Sequence, residues 1–175
     1  MVKATLGSST SPDLHFKERS MRKVFLGSAA LLLLAVIAQF YLSTFGAFER
    51  PTPSPGASSA ITPHAINGVA VIPALSLITA IVAAAARAGG KMIWLSLVPL
   101  AVVLGQLFVI FPLVELSGAT KEQTNTFAHI VFGFHAVLGL VLLWASVVIF
   151  REARALASTA AHARGRTPHL VSSSF

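Results

Sequence analysis

Four stretches of this chain run for twenty residues or more without a single Asp, Glu, Lys or Arg: Val24 to Phe45, Ala65 to Ala86, Met92 to Phe111 and Ala128 to Phe150. A helix of about 20 apolar residues matches the hydrocarbon thickness of a bilayer. In lipid every backbone N–H and C=O must be paired inside the protein, which makes such runs helices rather than isolated strands. The predicted fold class is therefore all-α, a four-transmembrane-helix bundle. Composition agrees, with 55% hydrophobic and 11% charged residues against roughly 25% charged in a soluble domain. A length of 175 residues leaves room for these spans and short connections only. The absence of cysteine excludes disulfides, thiolate metal sites, iron–sulfur clusters and covalently attached haem.

The first run follows Met21, Arg22 and Lys23 in the manner of a signal peptide. It continues beyond the usual apolar length of about 7–15 residues and has no small-x-small cleavage site, so it is read as a span. Met21 is an alternative start, because residues 1–20 are polar and lack periodicity. The thirteen Lys and Arg then set the orientation. Eleven lie in the N-terminal arm, the connection around Arg87 and Lys91, and the C-terminal tail; only Arg50 and Lys121 lie on the opposite side. The positive-inside rule places both termini in the cytoplasm of a bacterial cell. Lipid headgroups account for the net charge of +7, and no nucleic-acid partner is needed.

Three regions result: a polar arm over 1–22 expected to be disordered, a membrane domain over 23–154, and a tail over 155–175, helical at first and then disordered. Residues 51–63, rich in Pro, Ser and Gly, read as an irregular external connection. Gly89 and Gly90 mark a tight inner turn, and Thr120 with Gln123 has capping-box spacing ahead of the fourth helix. Pro73 and Pro99 each remove a backbone donor and predict bends in the second and third helices. Tyr41 and Trp94 fit interfacial anchoring.

The two hairpins resemble each other. Leu34-Ala35-Val36 followed by Gln39 parallels Leu100-Ala101-Val102 followed by Gln106, and His64-Ala65-Ile66-Asn67-Gly68 parallels His135-Ala136-Val137-Leu138-Gly139. Two such hairpins are related by a pseudo-twofold axis along the membrane normal.

Polar side chains inside the spans gather in one leaflet: Gln39, His64, Asn67, Gln106, His129 and His135 all fall toward the outer side. Polar groups in a membrane face the bundle interior or a cavity and mark candidate sites. His64 and Asn67 share a helix face, and Gly68 permits close approach by a backbone or a flat ligand. Neutral imidazoles on different helices can supply both axial ligands of a b-type haem. His64 pairs with His129 if depth is counted from Arg87 and Arg151, but with His135 if the repeat is followed. A metal held by His64, His129 and His135 with Glu115 is a further candidate, and Glu49, Glu115 and Glu122 otherwise read as solvated. Against these stands the plain reading that amides and imidazoles tie helices together. No nucleophile triad, phosphate loop or paired-carboxylate site is present, so the chain is read as more consistent with a non-enzyme.

At His64-Ala-Ile-Asn67-Gly68-Val-Ala-Val-Ile-Pro73 the chain resembles a family of small bacterial four-helix membrane proteins, of no assigned activity, with a His-x-x-Asn-Gly signature opening the second helix. The resemblance covers about Met21 to Arg154. It implies a related His motif in the fourth helix, where Leu138 stands in place of the expected Asn. The architecture is also similar to half of a haem A synthase. The expectation is a haem-binding or redox-accessory membrane protein whose cofactor-binding residues come from Gln39, His64, Asn67, Gly68, Gln106, His129 and His135. The alternative is a cofactor-free structural or assembly subunit. Expected partners are the lipid bilayer and either another membrane protein or further copies in a homo-oligomer; small-solute permeation would also require an oligomer.

Overall fold

The computed structural model describes residues 12–51, 59–120 and 123–162. Four helices account for nearly all of them: α1 (Pro12–Ala47), α2 (Thr62–Ala85), α3 (Gly90–Leu116) and α4 (Thr126–His162). All four are long and apolar enough to cross a bilayer, and no strand occurs among the described residues. The chain is a multi-pass membrane protein. Its helices stand in a square, α1 against α2, α2 against α3, α3 against α4 and α4 against α1, leaving α1 and α3 on one diagonal and α2 and α4 on the other. The end bearing residues 117–120 is called outer, in keeping with the charge-based orientation.

Large apolar side chains such as Leu31, Leu34, Ile81, Leu140 and Trp144 are exposed around the bundle, where lipid is their solvent. The inner core packs Phe25, Ala29, Leu32, Ala83, Met92, Ile149 and Ala153; its alanines let backbones approach closely, which is where membrane helices gain most of their packing. α1 begins at Pro12, well ahead of its apolar run, and takes in part of the polar arm for which the sequence predicts disorder. Met21 packs against the core and Glu18 reaches Arg87 at 3.1 Å; residues 1–11 lie outside the described residues. The tail is helical to His162, and residues 163–175 lie outside the description.

The connections use local chemistry. Between α2 and α3, Arg87 and Gly89 adopt positive φ of 52° and 89°. At the outer end of α1, Glu49 is not simply solvated: its Oε2 accepts from Ser59 Oγ at 2.7 Å and from the Ala60 N–H at 2.8 Å, closing the α1–α2 connection. Residues 52–58 of that connection lie outside the description. Thr120 and Gln123 form a local turn rather than a helix start. Asn125 caps α4, its Oδ1 accepting from the Ala128 N–H at 2.9 Å while its Nδ2 donates to the Ser117 carbonyl.

The prolines are accommodated in two ways. At Pro99, inside α3, the Ser76 hydroxyl enters the helical ladder: it donates to the Ser96 carbonyl at 2.6 Å and accepts the Leu100 N–H at 3.1 Å, standing between two groups that would otherwise bond each other. Pro73 and Pro112 come directly after π turns. In α2 the turn Asn67–Val71 closes with the Ile72 N–H on the Asn67 carbonyl, just before Pro73; in α3 the turn Gln106–Ile110 closes with the Phe111 N–H on the Gln106 carbonyl, just before Pro112. A π turn carries one extra residue in a helix, and its end is where a residue without an N–H costs least.

The buried positions establish the repeat. Phe25, Ala29, Leu32 and Val36 of α1 each have a buried counterpart sixty-seven residues later, at Met92, Ser96, Pro99 and Val103 of α3. Ile72, Ser76, Thr79 and Ala83 of α2 correspond at seventy residues to Leu142, Ser146, Ile149 and Ala153 of α4. Gln39 and Gln106 obey the first register. The Leu-Ala-Val match seen in the sequence lies one residue out of it and is coincidental.

Candidate functional site

In their inner halves α2 and α3 pack against each other. In their outer halves they part, α2 leaning on α1 and α3 on α4. A pocket of about 510 Å³ fills the space, lined by all four helices. Its walls obey the repeat. His64, Ala65 and Gly68 of α2 face His135, Ala136 and Gly139 of α4, seventy-one residues on, and Gln39 and Phe40 of α1 correspond to Gln106 and Leu107 of α3. The α2–α4 spacing falls from seventy-one at Gly68/Gly139 to seventy at Ile72/Leu142. The α1–α3 spacing rises from sixty-seven at Phe40/Leu107 to sixty-eight at Ser43/Phe111. Both changes occur within the two π turns. The inserted residues thus set which outer side chains face the pocket.

His64 is held by α1. Its Nδ1 lies 3.1 Å from the Gln39 carbonyl, which only accepts, so Nδ1 carries the proton and donates. Nε2 is then the acceptor, facing the Gln39 Nε2 at 3.3 Å. Asn67 Nδ2 donates to Gln39 Oε1 and to the Ala35 carbonyl, each at 2.8 Å. Gly68 makes room for this arrangement: a Cβ there would lie 2.6 Å from Gln39 Nε2. Gln39, His64 and Asn67 form one connected network in which each polar group constrains the next.

His135 faces His64 across the diagonal, with ring centroids 6.2 Å apart and planes inclined by 60°. Phe111 and Phe132 flank the His135 ring at 5.7 and 6.5 Å. Unlike its counterpart, its Nδ1 is buried without a hydrogen-bond partner, and so is Gln106 Oε1. The repeat explains the second of these: Asn67 serves Gln39 in the first half, whereas the corresponding residue of the second half is Leu138, which has nothing to donate.

The sequence-derived candidates divide accordingly. Gln39, His64, Gly68, Gln106 and His135 line the pocket, with Asn67 bonded to its wall. His129 does not: it is exposed, and its Nε2 lies 2.8 Å from Thr124 Oγ1. Counting depth from Arg151 misplaces it, because α4 continues inward to His162 with Ala153 buried in the core. The metal set His64, His129 and His135 with Glu115 is not assembled. Glu115 is exposed, and no group of three metal-ligating side chains occurs among the described residues. Sequence reading missed the parts played by Ser43, Phe111 and Phe132, and the π turn before Pro112; the signal present in the chain is the shared spacing of an amide six residues ahead of a proline, Asn67 to Pro73 and Gln106 to Pro112. Comparison with protein-family models, curated proteins and solved structures returned no match.

Proposed function

We propose that this chain is a b-type haem protein of the bacterial cytoplasmic membrane, with both termini cytoplasmic, in which His64 and His135 would hold the iron in the outer half of the bundle. The observation that carries this reading is the 6.2 Å separation of the two imidazole centroids across a pocket bounded by all four helices. Two imidazoles sharing one metal at about 2.0–2.1 Å per bond stand about 6 Å apart between ring centres. The surroundings are of the kind such a ligand set requires. A ligating histidine donates its second ring nitrogen to a carbonyl or carboxylate, as His64 Nδ1 does to the Gln39 carbonyl; its Nε2, which here faces Gln39 Nε2 at 3.3 Å, would hold iron once that contact is released. The remaining walls are largely apolar, with Phe40, Val69, Leu107, Phe111, Phe132 and Leu142 among them.

When bound, haem supplies reversible one-electron chemistry at iron. Held by two histidines, the group would supply electron transfer beside a redox partner rather than chemistry on a bound substrate. The chain's own contribution is to fix the His64 tautomer and hold its ring against α1. A second reading, a cofactor-free structural or assembly subunit, draws on the completeness of the Gln39–His64–Asn67 network, which joins α1 to α2 whether or not anything is bound. Absorption spectroscopy of the purified protein, oxidised and reduced, separates the two. A Soret band with a low-spin reduced spectrum, lost in His64→Ala and in His135→Ala but kept in His129→Ala, is the expected result. A folded, colourless protein that takes up no added haem refutes the proposal.

A further inference from the structure

Equivalent positions of the two half-repeats build opposite walls of the pocket, yet their polar groups are in different states. Every polar group of Gln39 that faces the pocket wall is used: its Oε1 accepts from Asn67, its Nε2 faces His64 Nε2, and its backbone carbonyl takes the His64 Nδ1–H. Across the pocket Gln106 Oε1 and His135 Nδ1 are buried without partners. Leaving a buried polar group unsatisfied is costly and calls for an explanation, such as a water, an ion or a bound molecule. The difference traces to one substitution within the repeat, Asn at 67 against Leu at 138, since Leu138 stands where the donor to Gln106 would be.

We propose that Gln106 is the recognition residue of the pocket, accepting a hydrogen bond from an O–H group on the edge of the bound macrocycle, a protonated carboxylic acid or a hydroxyl. This rests on the haem reading and names the feature of the ligand that the second half of the bundle selects. The chemistry is set by the acceptor. A carboxamide oxygen needs a donor, and an apolar or esterified edge leaves it without one. His135 Nδ1 is the second unpaired atom of this half; were Nε2 to hold iron, Nδ1 would carry a proton and need an acceptor. The first half is the better satisfied wall, where binding would release only the contact between Gln39 Nε2 and His64 Nε2. The second half reads the ligand.

The test compares uptake of haem b with uptake of its dimethyl ester, which lacks the acidic protons, by the full-length protein in detergent. The carboxyls of free haem are ionised at neutral pH and must take up a proton before they donate, so the measure is the change in the acid-to-ester affinity ratio on mutation, about tenfold for one neutral hydrogen bond. Gln106→Leu removes the acceptor and Leu138→Asn occupies it from within, as Asn67 does for Gln39; each should lower that ratio about tenfold while the Soret band persists. A ratio unchanged in both variants overturns this inference alone; water satisfying Gln106 would produce it. A wild type that takes up neither porphyrin overturns the haem reading and this inference with it.

Discussion

Deleting Ala70 tests whether the π turn of α2 positions His64. Ala70 is exposed and lies outside the pocket lining, so its removal takes away no contact of the site. It shortens the span between Asn67 and Ile72 by one residue, and the i→i+5 bond that now closes the turn becomes an ordinary i→i+4 bond. The outer and inner parts of α2 must then rotate relative to each other by about 100° and approach by about 1.5 Å. The inner part buries Ile72, Ser76, Thr79, Ala80 and Ala83, and Ser76 is fixed in the ladder of α3. The outer part contributes no fully buried residue and is tied by a few hydrogen bonds worth about 0.6 kcal/mol each in a membrane. The outer part is therefore the one that turns, at a loss of about 2 kcal/mol. A side chain about 5–6 Å from the helix axis swings through about 8 Å in such a rotation, more than the distance that now separates the two imidazoles. Because the chain has no cysteine, spin labels at Ile66→Cys and Phe134→Cys, both exposed, report the movement directly by pulsed distance measurement. The deletion should shift that distance by several ångströms and leave a control pair at Leu34 and Leu140 unchanged. Two unchanged distances would show that α2 absorbs the deletion elsewhere, and the π turn would have no part in setting the register.

Two further contrasts arise from the repeat. Gly68→Ala drives a Cβ to within 2.6 Å of Gln39 Nε2 and should lower stability by about 1–2 kcal/mol through lost hydrogen bonds, with His64 ring nitrogens shifted in ¹⁵N NMR spectra. Gly139→Ala meets only the Phe40 ring, at 3.6 Å, and should be close to neutral. Ser76→Ala leaves the Ser96 carbonyl and the Leu100 N–H without the hydroxyl that bridges them and should cost about 1–3 kcal/mol in reversible unfolding. Ser146→Ala, at the equivalent position of α4, removes only a bond to Leu142 of the same helix and should cost much less.

The spans and their order were legible because lipid imposes one rule on every residue of a run, and twenty uncharged residues state it without ambiguity. The pocket was legible in part. Gln39, His64, Asn67, Gln106 and His135 stood out as polar groups in an apolar setting, and a single leaflet held them all. Partner choice was not legible. Whether His64 meets His129 or His135 depends on helical register and on where each helix ends, and a depth scale started at Arg151 takes α4 to stop where it continues to His162. Register errors have the same origin as the false Leu-Ala-Val match: aliphatic residues are interchangeable in lipid, so a repeat is written in which positions are buried rather than in which residues occupy them. The cap at Asn125 was overlooked for Thr120 because the deciding contact, Asn125 to the Ser117 carbonyl, joins the ends of two helices.

Both inserted residues fall in the two helices joined by the inner turn, at Asn67–Val71 and Gln106–Ile110, and this location bears on why the pocket exists. α1 and α4 keep an uninterrupted α-helical ladder past the corresponding positions. Had α2 and α3 done the same, the residue rows that pack in their inner halves would have kept facing each other outward, with the helices parting only as far as their crossing angle requires. Each insertion instead rotates the outer part of its helix against the inner part by about 100°. That rotation moves the small and apolar residues that would have formed the α2–α3 seam away from each other and brings His64 and Gln106 to the interior. The proline after each turn keeps the ladder from closing into a regular helix, since neither Pro73 nor Pro112 can supply the missing N–H. A cavity in a membrane bundle forfeits packing that lipid does not replace. Two insertions at matched depth on neighbouring helices, one turning His64 toward His135 and the other turning Gln106 inward, shape the pocket that all four helices line.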